Sequence, residues 1–184
     1  MKGTYTFTHF EYWGQMKSMK KKINIVLIGL MGAGKTTVGK KLASVLGMPF
    51  VDVDENIERN FGKISDLFKK GEQHFRDLES QMVKRISALD HVVISTGGGV
   101  VLRAENMEAL KEKGVVFYLK RPVEDIIKTI DPTDRPLIRD NPAKLYRLAD
   151  ERESLYIMYS DYTIDASDID KAISSILSVW DKIS

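Results

Sequence analysis

Residues 23–36 of the 184-residue chain read INIVLIGLMGAGKT, and they carry its clearest structural signal. Its first part, residues 23–28, is a short, mostly apolar run of the kind that forms a strand buried on both faces of a parallel sheet. Its second part, residues 29–36, matches the pattern GxxxxGK[ST], in which glycines let backbone N–H groups curl around a phosphate. The helix that follows would present its positive N-terminus to the same anion. The stretch therefore predicts a strand, a phosphate-binding loop and a helix in succession.

The loop and the first turn of the following helix supply the predicted nucleotide-binding residues, which are Gly32, Ala33, Gly34, Lys35, Thr36 and Thr37. We expect Lys35 to reach the β- and γ-phosphates of ATP and the Thr36 hydroxyl to ligate Mg²⁺. A GTPase would carry an Asn-Lys-x-Asp motif, which the sequence lacks, and a motor would need a far longer chain. The short chain and the exclusion of these two classes of protein therefore favour a small-molecule kinase with ATP as co-substrate and Mg²⁺ as cofactor.

Strand-like and helix-like segments alternate along the rest of the chain. Further strands are predicted at residues 49–52, 91–95, 115–119 and 162–165. Helices are predicted at residues 35–46, 54–60, 65–89, 104–113, 123–130 and 142–159 and from Asp168 onwards, with interruptions at Gly62 and Gly71. The alternation predicts an α/β three-layer sandwich with a parallel, five-stranded central sheet. The polar, proline-broken residues 131–136 predict a loop.

Composition narrows the class of protein. The 28 basic and 26 acidic residues nearly cancel to a net charge of +2, so we expect no nucleic-acid partner, which usually requires a concentrated basic face. No run reaches the roughly 18 apolar residues of a bilayer span, so we expect no membrane association. The absence of cysteine removes disulfides and thiolate chemistry and makes a cytoplasmic location the default. We expect one domain over residues 20–184, preceded by an extension, residues 1–19, that lies outside it.

Several charged residues beyond the loop would suit a small hydroxylated acid as the phosphate acceptor. Asp52 and Asp54 follow the second predicted strand, at the end where open α/β sheets bind ligands. Strand alternation would put both side chains on one side, so that one serves Mg²⁺ and the other faces the acceptor. Arg76 and Arg152 offer bidentate donors suited to a carboxylate. Arg135 lies in the polar loop, where a lid could bring it onto the transferring phosphate.

Each of these residues, taken alone, also has an ordinary structural interpretation. Asp52 is equally well explained as a helix cap. A lone arginine is usually a solvated or salt-bridged surface residue. The three glycines at residues 97–99 would be sufficient to make a turn. The residue types alone therefore leave the acceptor site open.

The order of the whole set resembles a family. The matching segments are residues 29–37, 50–54, 71–79, 95–99, 135–137 and 152–156. Together they resemble shikimate kinase over residues 23–183. The phosphate loop is shared by many families, whereas the combination of Asp-x-Asp, Gly-Glu-x-x-Phe-Arg, Thr-Gly-Gly-Gly and Arg-Pro-Leu is far more specific.

The resemblance implies transfer of the ATP γ-phosphate to the 3-hydroxyl of shikimate, in the aromatic amino-acid (chorismate) pathway. It implies a P-loop kinase fold with an acceptor-binding helical insert at about residues 53–80 and a lid at about residues 130–142. It also implies a monomer that has shikimate and ATP as its partners.

By matching position, the resemblance implies that shikimate is held by Asp54, Arg76, Gly98 and Arg152. The two arginines would grip its carboxylate, and Asp54 and the Gly98 N–H would bind its ring hydroxyls. Glu79 would orient Arg76.

The same matching implies the catalytic and metal-binding residues. Lys35 and Arg135 would neutralise charge on the transferring phosphoryl group, Arg135 being also a nucleotide contact from the lid. Asp54 would accept a hydrogen bond from the attacking hydroxyl. Asp52, acting through water, would support Mg²⁺ together with Thr36.

Two positions depart from the family pattern. The adenine-stacking arginine of many members is replaced by Lys128 or Thr129, and residues 165–168, where a loop often holds adenine, read DASD without a basic residue. The identity of the residues that contact adenine therefore stays open. The alternatives to a shikimate kinase are a gluconate-type or nucleoside monophosphate kinase, or a nucleotide-binding regulatory module without catalysis.

Overall fold

A computed structural model describes residues 22–129 and 142–183. The predicted extension at residues 1–19, Arg135 and nearly all of the predicted lid lie outside the described residues. No helix within the described ranges combines the length and apolar composition that a bilayer span requires.

Strands and helices alternate along the described chain. In order, the elements are β1 (Asn24–Ile28), α1 (Lys35–Leu46), β2 (Phe50–Asp52), α2 (Val53–Phe61), α3 (Ile64–Lys69), α4 (Glu72–Ser87), β3 (Val93–Ser95), α5 (Ala104–Lys113), β4 (Gly114–Lys120), α6 (Val123–Thr129), α7 (Pro142–Tyr159), β5 (Tyr162–Asp165) and α8 (Ile169–Ile183). A single 3₁₀ turn, Val100–Leu102, precedes α5 and was not expected from the sequence.

The five strands form one parallel sheet in the order β2-β3-β1-β4-β5. The central strand β1 pairs Val26 with Ile94 of β3 and with Val116 of β4. All five of its residues are buried, because helices cover both faces of the sheet. The predicted three-layer α/β sandwich is therefore confirmed.

The two faces of the sheet carry separate cores. Val26 and Ile28 of β1 point into a core that includes residues of α2, α4, α5 and α7. Ile25 and Leu27 point to the opposite core, which α1 and α8 complete. This alternation fixes the carboxyl end of β1, and with it the loop at residues 29–34, between the two helical layers.

Candidate active site

Gly34 forms the sharp turn from the predicted phosphate loop into α1. Its φ angle is +94°, and a Cβ atom at this position would lie 2.8 Å from Cδ1 of Ile169 in α8. A side chain would therefore be strained by its backbone conformation and would also collide with the neighbouring helix. Glycine at this point of the motif allows the loop to close over the start of α1.

Lys35 is the first residue of α1 and is only 7% exposed. Its Nζ donates hydrogen bonds to the carbonyl oxygens of Gly29, at 2.8 Å, and Leu30, at 2.9 Å. These bonds hold a buried positive charge against the loop. The arrangement suits an anion that is received by the N–H groups of the same loop.

Asp52 connects the phosphate-loop helix to the acceptor side of the sheet. Its Oδ2 accepts a 2.9 Å hydrogen bond from Thr36 Oγ1. Its Oδ1 accepts hydrogen bonds from the backbone N–H groups of Asp54, at 3.0 Å, and Glu55, at 3.3 Å. Asp52 is therefore the N-cap of α2 and also the hydrogen-bond partner of the Thr36 hydroxyl, so the cap is confirmed and the magnesium role stays a prediction.

The donor set at this point fits magnesium. A hydroxyl and a carboxylate, Thr36 and Asp52, lie in direct contact, and both offer the hard oxygen atoms that Mg²⁺ requires. Among residues 22–129 and 142–183, no group of three or more His, Cys, Asp or Glu side chains could hold a metal ion. The arrangement is consistent with an ion bound through one or two protein oxygens, with water and phosphate oxygens as its other ligands.

Asp54 occupies a different position from the one that strand alternation predicts. Strand β2 ends at Asp52, and Asp54 lies in the first turn of α2. The alternation argument is therefore wrong, because the cap at Asp52 starts a helix immediately after it. The Asp54 side chain nevertheless reaches the glycine loop, since a Cβ atom on Gly97 would lie 2.7 Å from Asp54 Oδ1.

The glycine loop, residues 97–99, brings three predicted acceptor residues together. Its first glycine adjoins the Asp54 carboxylate, and a Cβ atom on its third glycine would collide with the Arg76 guanidinium group. The carbonyl of its second glycine accepts a 3.1 Å hydrogen bond from Arg152 Nη1. Glycine at the first and third positions permits the approaches of Asp54 and Arg76, and residues from α2, α4 and α7 converge on one loop.

The glycine loop also touches the phosphate loop. A Cβ atom on Gly98 would lie 3.1 Å from the backbone nitrogen of Met31 and 3.6 Å from the carbonyl oxygen of Gly29. The predicted acceptor residues are therefore gathered beside the predicted nucleotide loop.

Arg76 is held rigidly. Its Nη1 donates a 2.7 Å hydrogen bond to Oε2 of Glu79, a residue that is 1% exposed. Its guanidinium carbon lies 5.1 Å from the ring centroid of Phe75 and 5.9 Å from that of Phe68. The expected contact between Glu79 and Arg76 is therefore present, and aromatic packing supports it.

The surroundings of Glu79 are rich in positive charge. Burial raises the pKa of the Glu79 carboxyl, while Arg76, Arg103 and Arg152 act in the opposite direction. Arg76 also pairs with Glu72 and Arg103 with Asp77, at the more exposed edge of this cluster. Nε of Arg76 and Nε of Arg152 are buried without a hydrogen-bond partner among the described residues. Since an unpartnered buried donor is costly, the site favours an incoming anion.

Two further residues contact the site and were given no role from the sequence. Tyr156 Oη donates a 2.6 Å hydrogen bond to the Gly98 carbonyl, and Arg121 Nη1 donates one of 3.3 Å to the Gly32 carbonyl. The partners are separated by 58 and 89 residues along the chain. No local pattern could indicate such contacts.

A cleft of about 750 Å³ opens beside the phosphate loop, at the ends of β4 and β5 and along α7. Leu30, Asp165 and Ser167 line it, so it extends from the phosphate loop to the segment that lacks a basic residue. The basic residues that line the cleft are Lys120 and Arg121, at and just after the end of β4. The cleft therefore joins the nucleotide loop to residues 165–168, the second of the two positions where the sequence departs from the family pattern.

Comparison with known proteins agrees with this geometry. The family model for shikimate kinase matches residues 31–180. The shikimate kinase of Thermodesulfovibrio yellowstonii is 44% identical over 168 residues, which cover 88% of this chain and 96% of that protein. The shikimate kinase of Clostridium botulinum (strain Alaska E43 / Type E3) is 44% identical over 154 residues, covering 80% and 92%.

Solved structures give the same result. The shikimate kinase from Acinetobacter baumannii in complex with shikimate matches with a TM-score of 0.79 and 38% identity, covering 90% of this chain and 97% of that one. The shikimate kinase from Aquifex aeolicus matches with a TM-score of 0.75 and 33% identity, covering 86% and 96%. Because the match extends over the phosphate loop, the sheet and the glycine loop alike, the chain belongs to the shikimate kinase family.

Proposed function

We propose that the residues described above carry out the reaction of the family in this chain, the transfer of the ATP γ-phosphate to the 3-hydroxyl of shikimate. The products are shikimate 3-phosphate and ADP. The protein is an ATP-dependent phosphotransferase of the shikimate pathway. The observation that carries the residue assignment is the convergence of Asp54, Arg76 and Arg152 on one glycine loop that itself touches the phosphate loop.

The acceptor half of the site binds shikimate through charge and shape. Arg76 and Arg152 hold the carboxylate, which gives their buried N–H donors an acceptor. Asp54 and the Gly98 N–H bind the ring hydroxyls of shikimate. The Arg76–Glu79 ion pair keeps one of the two guanidinium groups in a single orientation.

The nucleotide half binds ATP through the loop that precedes α1. The N–H groups of Gly32, Ala33 and Gly34 surround the phosphates, and Thr36 and Thr37 extend this set into α1. Thr36 and Asp52 would hold Mg²⁺, Asp52 through water. When bound, the ion neutralises charge on the phosphate oxygens.

Catalysis depends mainly on positioning and charge neutralisation, because phosphoryl transfer passes through a loose transition state. Lys35 stabilises the charge that develops on the γ-phosphoryl oxygens. Asp54 accepts a hydrogen bond from the attacking hydroxyl and orients its lone pair toward phosphorus. Arg135, which lies outside the described residues, contributes a second positive charge from the lid.

An ADP-release assay with shikimate as the sole acceptor tests the reaction. We expect turnover that depends on shikimate and falls by on the order of 10²- to 10³-fold in Lys35→Met. Gluconate and the nucleoside monophosphates are tested separately as alternative acceptors, each at the same concentration as shikimate. Turnover with one of these but not with shikimate would assign the chain to another small-molecule kinase, and nucleotide binding without turnover on any acceptor would make it a regulatory module.

The same proposal covers the domain organisation, the oligomeric state and the cellular location of the protein. Residues 20–184 form the catalytic domain, residues 130–142 its lid and residues 1–19 an extension that catalysis does not need. The enzyme acts as a monomer in the cytoplasm. Deletion of residues 1–19 should leave kcat and KM unchanged, and sedimentation equilibrium should give the mass of one chain.

A further inference from the structure

The carbonyl oxygen of Gly98 accepts two hydrogen bonds from the same helix. Arg152 Nη1 donates one at 3.1 Å, and Tyr156 Oη, one helical turn further along α7, donates the other at 2.6 Å. A carbonyl oxygen has two lone pairs, so these two donors use its whole capacity. The middle of the glycine loop is thereby tied to α7.

The Tyr156 side chain is itself fixed by the core. It is 1% exposed, and its ring stacks on Tyr118 of β4 with centroids 5.0 Å apart and planes 22° apart. Burial raises the pKa of Tyr156 to about 12, so the hydroxyl keeps its proton and remains a donor throughout the neutral pH range. The hydroxyl position is therefore set by the central sheet.

Gly98 lies at the boundary between the two halves of the site. One side of the residue approaches the backbone of the phosphate loop at Met31, and its carbonyl is held by α7. Movement of this carbonyl would alter the distance between the phosphate loop and the acceptor residues. Because Arg152 donates to the same oxygen, that movement would also displace a residue assigned to the carboxylate.

We infer that Tyr156 is a positioning residue, whose hydroxyl fixes the glycine loop and Arg152 relative to the phosphate loop and so sets the alignment of the acceptor hydroxyl with the phosphate it attacks. The inference rests on the proposed assignment of Arg152 and Gly98 to the acceptor. It extends that assignment to a buried side chain whose hydroxyl bonds to the backbone of the glycine loop. Correct alignment matters because small displacements of reacting groups cost large factors in rate.

Tyr156→Phe tests the inference, because it removes one hydroxyl group and leaves the stacked ring in place. Loss of one neutral hydrogen bond corresponds to a factor of about three to ten. We expect kcat to fall and the KM for shikimate to rise by factors of this size, with the KM for ATP changed by less than about twofold. The slow hydrolysis of ATP by water, measured without shikimate, should keep its wild-type rate.

Tyr118→Phe is the matched control, since it removes a hydroxyl from the other ring of the same stack. We expect it to leave kcat and the KM for shikimate near wild type; the KM for ATP is not part of this control, because Tyr118 lines the cleft beside the phosphate loop. Thermal unfolding of both variants separates stability from alignment, and the assays are run at 10 °C if either variant is unstable at 25 °C. The inference is overturned if Tyr156→Phe lowers only the melting temperature, if it raises the KM for ATP as much as that for shikimate, or if Tyr118→Phe has the same effect.

A failure of this inference can be distinguished from a failure of the proposed function. Wild-type protein without shikimate-dependent turnover would remove the function itself. Active wild-type protein together with a Tyr156→Phe variant of unchanged kinetics would remove only the positioning role.

Discussion

Thr36 Oγ1 donates a 2.9 Å hydrogen bond to Asp52 Oδ2, which joins the first turn of α1 to the end of β2. The second oxygen of the same carboxylate caps α2. One side chain therefore starts the helix that carries Asp54 and also places a negative charge beside the hydroxyl assigned to magnesium. The cap and the proposed magnesium role of Asp52 use different oxygen atoms, so substitutions can separate them.

Asp52→Asn should keep the cap and lose the charge. Asparagine caps helices about as well as aspartate does, so we expect little change in the free energy of unfolding. The Mg²⁺ concentration for half-maximal activity should rise severalfold. Asp52→Ala should in addition lose about 1 kcal/mol of stability. If Asp52→Asn keeps the wild-type Mg²⁺ dependence, Asp52 acts only as a helix cap.

Lys35→Met should reduce kcat on the order of 10²- to 10³-fold, the range found when one preorganised transition-state donor is removed. The fold should persist, because the methionine occupies a similar volume in the same buried position. Lys41→Met is the control, since Lys41 lies on the same helix and forms an exposed ion pair with Asp170. Turnover near the wild-type value in folded Lys35→Met would refute the assigned role of the lysine.

Arg121→Ala should weaken nucleotide binding and leave shikimate binding unchanged. The substitution removes the donor to the Gly32 carbonyl and a positive charge from the edge of the cleft. We expect the KM for ATP to rise about three- to tenfold, with the KM for shikimate changed by less than about twofold. The exposed Arg59, paired with Glu55, provides the control variant Arg59→Ala. Equal ATP affinity in the two variants would contradict a role for Arg121 at the phosphate loop.

Asp161 makes stability depend on pH. Burial acts to raise the pKa of its carboxyl, but the N–H of Val116 and the ammonium groups of Lys22 and Lys111 outweigh burial and lower the pKa below 3.8. A lowered pKa in the folded state stabilises the protein above the unfolded-state value, and this stabilisation is lost as the pH falls through the folded-state value.

Asp161→Asn should therefore lose about 1 kcal/mol of unfolding free energy at pH 7, and the difference from wild type should narrow as the pH falls below 3.8. Urea unfolding at pH 7 and at pH 3 measures both differences. Asp90→Asn, at an exposed ion pair with Lys113, should have a smaller effect at pH 7. A difference between wild type and Asp161→Asn that stays constant with pH would contradict the assignment.

Much of the fold could be predicted because its signals are local. Helix α1 ends where predicted, since Gly47 adopts a φ angle of +64° at the C-cap. The predicted bounds of α5, α7 and β5 also agree with the structure. The 3₁₀ turn at residues 100–102 was missed, because it depends on how the glycine loop packs between the sheet and α7.

The site was less predictable, because its geometry depends on contacts between distant parts of the chain. The helix that carries Asp54 was predicted from residue 54, but the alternation argument for its side chain failed, because the strand ends at Asp52 and α2 begins at Val53. Motif order indicated Arg76 and Arg152. Tyr156 and Arg121 act through hydrogen bonds to backbone carbonyls, and such contacts leave no spacing pattern in the sequence.

The proposed clamp of two arginines separates acceptors that carry a carboxylate, such as shikimate, from hydroxylated acceptors that lack one. Loss of either guanidinium should weaken acceptor binding by several kcal/mol at most, because a charge-assisted contact in a closed site is removed. The KM for ATP should be little changed. A wild-type KM for shikimate in both Arg76→Ala and Arg152→Ala would contradict the clamp.

The most direct measurement is a binding titration with shikimate and with an analogue whose carboxylate is reduced to an alcohol. The wild-type protein should bind shikimate at least tenfold more tightly than the analogue, and Arg152→Ala and Arg76→Ala should each lose most of that preference. If the arginine variants keep the full wild-type preference for the carboxylate, the guanidinium groups beside residues 97–99 do not hold it.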